Sequence, residues 1–144
     1  MSASDTQSMT LKSAAPLRFA RYWWLAGWLM VLFITVSCLE PPRYVPDLHV
    51  GDKLEHAGAF FGLTFWFGGL MPRRSYSRLA LLMLLFGAGI EVAQGAMGWG
   101  RDMDIRDFAA DSLGVAAALG FIYTGLGMWM WQIERILGLS CDPP

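Results

Sequence analysis

The sequence has few charged residues and little cysteine. Charged residues make up 16% of its 144 positions, whereas an ordinary soluble domain has about 25%. Its two cysteines do not form the paired spacing of a metal motif. The 11 basic residues are balanced by 12 acidic ones, so the basic excess of a nucleic-acid-binding protein is absent. Because 55% of the chain is hydrophobic, disorder is excluded as its dominant state, and the length allows one domain.

The few charges are bunched, and they leave four long apolar stretches. These lie at residues 22–39, 54–71, 79–98 and 108–131. A transmembrane helix needs about 20 mostly apolar residues, and the poor periodicity of the stretches is typical of helices that are apolar all round. We therefore predict an all-α integral membrane bundle of four transmembrane helices, within a domain at 22–131 and between tails at 1–21 and 132–144. A soluble helical bundle is the alternative, but little polar surface would remain to cover it.

The distribution of basic residues predicts the orientation. Seven of the eleven lie in the tails and in the connection between the second and third helices: Lys12, Arg18, Arg21, Arg73, Arg74, Arg78 and Arg135. Lys and Arg favour the cytoplasmic side of a membrane, so we predict that both termini are cytoplasmic in a bacterial inner membrane. A cleaved lipoprotein signal ending before Cys38 is an alternative, although Thr35 stands where such signals usually have Leu.

Polar residues gather at the external ends of three predicted helices, and the cytoplasmic half of the apolar stretches contains none. They are Asp52, Lys53 and His56 on the second helix, Glu91 and Gln94 on the third, and Asp107 and Asp111 on the fourth. On each helix they are three or four residues apart, which places them on one face. Because a charged side chain deep in lipid costs about 2.5–3.5 kcal/mol, we predict that His56, Glu91 and Asp111 face one another inside the bundle.

Several of these residues also have simple structural interpretations. Asp107 has the side chain and the position of an N-cap for the fourth helix, whereas Asp111 lies one turn deeper, where capping does not explain it. Lys53 has a stem long enough to carry its charge to the membrane interface. Arg101 and Asp104 are placed to form an exposed loop pair, which would contribute little stability.

Rows of small residues predict where the helices approach one another. The second helix has a G-x-x-x-G pair at Gly58 and Gly62, and the fourth has Ala110, Gly114 and Ala118 at the same spacing. Such rows let helix backbones approach closely in lipid. We therefore interpret them as packing surfaces rather than as parts of a site.

The order of these motifs resembles the VanZ-like family of bacterial membrane proteins over about residues 52–120. The matching pieces are D-K-x-x-H from Asp52 to His56, G-x-x-x-E-x-x-Q from Gly87 to Gln94, R-x-x-D at Arg101 and Asp104, and D-x-x-x-D-x-x-G from Asp107 to Gly114. The sequence departs from the family at Asp111, where the family usually has Asn. The resemblance implies a multi-pass protein of the cell envelope, in a family named for a protein associated with resistance to a glycopeptide antibiotic.

Three functions fit this arrangement. The first is binding of a membrane lipid or a lipid-linked glycan head group at the external face, linked to glycopeptide tolerance. The second is an intramembrane enzyme acting on a lipid-linked envelope substrate, and the third is a proton-coupled transporter, which four helices without a repeat do not favour. The candidate catalytic residues are His56, Glu91 and Asp111, and the candidate ligand-binding residues are Asp52, Lys53, Gln94, Arg101, Asp104 and Asp107.

The sequence does not identify a cofactor. The enzyme hypothesis would use His56 and Glu91 as acid and base, or as ligands of a divalent metal together with Asp107 and Asp111. No metal site is predicted, because the sequence lacks H-E-x-x-H or a similar ligand spacing. Its composition predicts no nucleic-acid partner, and it leaves homo-oligomerisation open.

The predicted orientation is tested with topology reporters. A reporter fused after Pro144 should behave as cytoplasmic, and one inserted near Asp47 as external, because seven basic residues lie on the first side and four on the second. The reverse pattern would contradict the orientation and the placement of the polar residues at the external face.

Overall fold

A computed structural model describes residues 17–40, 51–98 and 102–139 of the chain, and every regular element within them is helical. Two short 3-10 turns, at Arg73–Ser75 and Leu126–Met128, each precede a helix. The five α-helices are α1 at Ala20–Leu39, α2 at Asp52–Leu70, α3 at Tyr76–Met97, α4 at Ile105–Tyr123 and α5 at Trp129–Ile136. The expected all-α class is thus confirmed.

Two helical segments are long and apolar enough to cross a membrane, and a third qualifies if it is taken across a bend. The two are Ala20–Leu39 and Arg73–Met97, which joins the first 3-10 turn to α3. The third combines α4 with Leu126–Ile136, and its two parts are bent by 88°. The structure therefore supports a membrane protein with two to three candidate spans. The second of the four predicted spans, α2, is not among these candidates, and it carries charged residues in its first turn.

Of α1 to α4, helices that follow one another in the chain run in opposite directions, and the bundle has two chemically different ends. At one end, Gln94 on α3 donates a hydrogen bond to the carbonyl of Cys38, the second-last residue of α1. The starts of α2 and α4 meet at this same end, through an ion pair between Lys53 and Asp107. At the other end the rings of Trp23, Trp66 and Trp129 pack with centroids 5.4–5.6 Å apart. We call these the polar end and the aromatic end.

The close contact between α2 and α4 uses the small residues of α4. A Cβ added at Gly114 would collide with the backbone carbonyl of Ala57 on α2, and Ala110 and Ala118 on the same row are buried. The row predicted for α2 is wrong as a packing surface. A Cβ at Gly58 or Gly62 would meet nothing within 4 Å, because α2 turns a different face, that of Ala57, toward α4.

The fourth helix differs from its predicted range at both ends. It begins at Ile105 rather than 108 and ends at Tyr123 rather than 131. It ends there because Gly125 adopts a φ of 110°, a left-handed backbone that an α-helix does not accommodate and that glycine adopts without a Cβ penalty. The remaining residues form α5, a separate helix that buries Met130 and Glu134.

Glu134 fixes the start of α1, and sequence reasoning missed it. Only 1% of this residue is exposed. Its carboxylate accepts hydrogen bonds from the backbone N–H groups of Arg18 (2.7 Å) and Phe19 (3.1 Å) and from the indole N–H of Trp23 (2.8 Å). A helix start has free N–H groups and a partial positive charge, so this carboxylate caps α1 from more than 100 residues away. A buried acid therefore lies in the segment at 132–144, which was predicted to be a cytoplasmic tail.

The α2–α4 contact predicts opposite effects for two glycine substitutions on one helix. Gly114→Ala should lower stability by about 1–3 kcal/mol, because the added methyl overpacks the contact with α2. Gly120→Ala should leave stability unchanged or raise it by up to about 1 kcal/mol, because Ala favours helix and a Cβ there meets nothing within 4 Å. Thermal unfolding of both variants in detergent measures the difference. Equal melting temperatures would contradict the close approach at Gly114.

Candidate functional site

The polar end contains a buried group of three ionisable side chains, one from each of α2, α3 and α4. His56, Glu91 and Asp111 are 4%, 3% and 0% exposed. Nδ1 of His56 lies 3.0 Å from Oδ1 of Asp111, and one potential ligand atom from each residue lies within 4.8 Å of the other two. The structure thus brings together the three residues that the sequence predicts to face one another. We call them the buried triad.

Two oxygen atoms of the buried triad have no hydrogen-bond partner within the parts of the chain that the structure describes. They are Oε1 of Glu91 and Oδ2 of Asp111. The other oxygen of Glu91, Oε2, accepts a hydrogen bond of 2.8 Å from the backbone N–H of Asp104. Burying a polar atom without a partner costs free energy, so these two oxygens are the atoms best placed to receive a proton or a cation from a ligand.

Gly87 makes room for the carboxylate of Asp111. A Cβ at Gly87 would lie 2.8 Å from Oδ2 of Asp111 and 3.3 Å from the ring of Phe60. Any larger residue would therefore push the carboxylate away from α3. The glycine of the G-x-x-x-E-x-x-Q motif, one turn before Glu91, thus has a direct role in forming the buried triad.

The rim of the polar end is an ion-pair group around Lys53. Its ammonium lies 2.7 Å from Oδ1 of Asp107 and 3.4 Å from Oδ2 of Asp104, while the Lys53 side chain is 49% exposed. The lysine therefore contacts two carboxylates instead of only extending toward the interface. Because its ammonium is already paired with these two carboxylates, Lys53 could bind the phosphate of a ligand only by breaking those ion pairs.

The N-cap of α4 is Asp104, and the interpretation of Asp107 as the cap is wrong. The Asp104 carboxylate accepts a hydrogen bond of 2.8 Å from the backbone N–H of Arg106. This bond, followed by the nearby Lys53 ammonium, holds the pKa of the Asp104 carboxyl below its usual value. The helix begins three residues earlier than predicted, so Asp107 lies in its first turn instead of ahead of it.

The remaining candidate residues have different places. Gln94 is buried and bonded to the carbonyl of Cys38 (2.9 Å), so it ties α3 to α1. Asp52 is exposed, and it forms a second group of potential ligand atoms with His56 and Asp107, again within 4.8 Å. Arg101 lies outside the described residues, and so the pair that it was expected to form with Asp104 stays a prediction.

A cavity of about 130 Å³ opens between α1 and α2 at the polar end. Its deeper wall is apolar and includes Phe33, Ile34, Ala59 and Phe60. Toward the end of the bundle the wall becomes polar, with Ser37, Cys38, Asp52, Glu55 and His56. His56 belongs both to this wall and to the buried triad, and it therefore connects the two.

Comparison of the chain with protein-family models, with curated proteins and with solved structures finds no match. The VanZ-like resemblance therefore stays a prediction from the motifs.

The bond between Glu91 and Asp104 predicts how two substitutions will differ. Glu91→Gln keeps an oxygen that accepts from the Asp104 N–H, so the melting temperature in detergent should change little. Glu91→Ala leaves that N–H without its acceptor, at a cost of about 1–3 kcal/mol, and should lower the melting temperature clearly. If both variants melted at the wild-type temperature, Glu91 would not hold the start of α4.

Proposed function

We propose that this chain is a VanZ-like membrane protein of the bacterial cell envelope, with four spans, cytoplasmic termini and an external polar end. At that end it binds the head group of a membrane lipid or of a lipid-linked glycan. Support comes from two to three helices of spanning length and hydropathy and from ionisable side chains that gather at one end of the helices. Charged groups within membrane segments are costly and generally functional.

The observation that carries this proposal is the gradient of polarity along the cavity between α1 and α2. Residues one or two turns from the polar end are apolar, whereas those at the end are polar or acidic. An amphiphile with its head group at the membrane surface and its chains in the bilayer has the same gradient. The lining of the cavity thus matches a lipid better than it matches a water-soluble ligand.

The charges of the cavity indicate the chemistry of the head group. Asp52 and Glu55 contribute carboxylates to its polar wall, and ionised carboxylates only accept hydrogen bonds. Lys53, the nearby base, is already paired with Asp107 and Asp104. This arrangement favours a head group that is rich in hydroxyl or amino donors, such as a sugar, over a bare phosphate.

A matched pair of substitutions on α2 tests the cavity. Ala59→Leu adds three carbons to the cavity wall, whereas Gly58→Leu enlarges a neighbouring residue at which a Cβ meets nothing within 4 Å. The purified full-length protein is mixed with a polyprenyl-linked disaccharide or with phospholipids, and bound lipid is measured by native mass spectrometry. Ala59→Leu should lose most of the binding, and Gly58→Leu should keep it.

Two outcomes would contradict the proposal: absence of lipid binding by the folded wild type, or equal binding by both leucine variants. Selective binding of the polyprenyl-linked disaccharide would favour the glycan, and selective binding of a phospholipid would favour a bulk membrane lipid. Melting temperatures of the two variants serve as the control for folding.

A second candidate function, an intramembrane enzyme, is favoured by the buried pair of His56 and Asp111. A histidine oriented by a carboxylate is a common general acid or base, and His56 also reaches the cavity wall. A bound head group would therefore contact a residue that is able to transfer protons. Masses of cleaved lipid in the same native mass spectrometry experiment would identify this activity.

A further inference from the structure

We infer that His56, Glu91 and Asp111 bind one divalent transition-metal ion, such as Zn²⁺ or Mn²⁺. The three side chains come from α2, α3 and α4, and each offers a ligand atom within 4.8 Å of the other two. One imidazole nitrogen and two carboxylate oxygens are a donor set that such ions accept. Because the ligands lie on three helices, the site follows from the fold and from no single sequence motif.

The distances fit one ion between the three side chains. Zinc bonds to His nitrogen and carboxylate oxygen are about 2.0–2.2 Å long, so neighbouring ligand atoms of a tetrahedral site are about 3.4 Å apart. Nδ1 of His56 and Oδ1 of Asp111 are 3.0 Å apart, close to that spacing. The ligand atom of Glu91 lies within 4.8 Å of the other two, so it would move by up to about 1.4 Å to reach the spacing of a tetrahedral site.

The unpartnered oxygens supply an independent reason for a cation. Oε1 of Glu91 and Oδ2 of Asp111 are buried without a hydrogen-bond partner in the described parts of the chain, and their residues are 97% or more buried. Two carboxylates here face one imidazole, which carries at most one positive charge. A divalent ion bound to Asp111 through either oxygen and to Glu91 through Oε1 would neutralise both carboxylates.

A neighbouring group of Asp52, His56 and Asp107 has the same spacing but fits an ion less well. Oδ1 of Asp107 is already 2.7 Å from the Lys53 ammonium, and a cation would have to compete with that lysine. Asp52 is exposed, so water would screen its charge. The two groups share His56, and substitutions of their carboxylates therefore distinguish them.

The inferred ion would add to the proposed function, and only its contact with the lipid head group rests on that function. With three protein ligands, the ion would keep open positions for an oxygen atom of the head group at the cavity wall. Metal binding by the protein is nevertheless measured without any lipid ligand. A protein that binds no metal could therefore still bind lipid, and one that binds no lipid could still bind metal, so the two proposals are tested separately.

The test uses the full-length protein, stripped with a chelator in detergent and then titrated with Zn²⁺, Mn²⁺ or Co²⁺ alone. We expect one ion per chain by elemental analysis after desalting, a rise in melting temperature with metal concentration, and Co²⁺ absorption bands of a nitrogen- and oxygen-ligated site. Glu91→Gln and Asp111→Asn should each weaken binding by more than about 10-fold, since a change in the surroundings of a ligand alone costs 10–100-fold.

Asp102→Asn is the control, and Asp52→Asn distinguishes the two groups of potential ligands. Asp102→Asn removes an exposed carboxylate near the same end, and Asp52→Asn removes a member of the neighbouring group, so both should bind metal like the wild type. Sub-stoichiometric binding by the wild type, or unchanged binding by Glu91→Gln and Asp111→Asn, would overturn the inference. Loss of binding in Asp52→Asn would also overturn it, by placing the ion in the neighbouring group. Metal-free melting temperatures show that each variant is folded.

Discussion

The carboxyl group of Asp111 is the buried polar group on which the polar end of the bundle depends. It has no exposed surface, and its described hydrogen bond is to His56 on α2. The bond requires α2 and α4 to lie close together, which Gly114 allows, and it requires α3 to leave space, which Gly87 provides. A charged group within a membrane bundle must find partners inside the protein. Gly87 and Gly114 thus let one buried carboxylate lie between three closely packed helices.

Both ends of the fold contain buried carboxylates, but the two ends differ in how fully these carboxylates are hydrogen-bonded. Glu134 at the aromatic end receives three hydrogen bonds, which involve both of its oxygens. Glu91 and Asp111 at the polar end each keep one oxygen without a partner in the described residues. A structural carboxylate is expected to be fully bonded, because burial without partners costs stability. The contrast therefore favours a structural role for Glu134 and a ligand-binding role for the buried triad.

Sequence reasoning was sufficient for features that depend on the spacing of charges along the chain. It predicted the helical class, and it predicted that His56, Glu91 and Asp111 converge, since buried charges need partners. It failed where a distant contact decides the structure. Glu134 caps a helix that begins more than 100 residues earlier, and the faces on which Gly58 and Gly62 lie depend on how α2 rotates against α4. Gly125 did carry a local signal for the end of α4, but the apolar residues after it obscured that signal.

His56 connects the cavity to the buried carboxylates. It lines the polar wall between α1 and α2, and on its other side it contacts Asp111. A lipid head group in the cavity would therefore meet the imidazole before it reaches Glu91 or Asp111. If the imidazole and both carboxylates hold a metal ion, the head group would approach that ion from the side of α1. If they hold a proton instead, His56 would be the group that transfers it. In both cases a bound amphiphile and the buried carboxylates would act on each other through this one side chain.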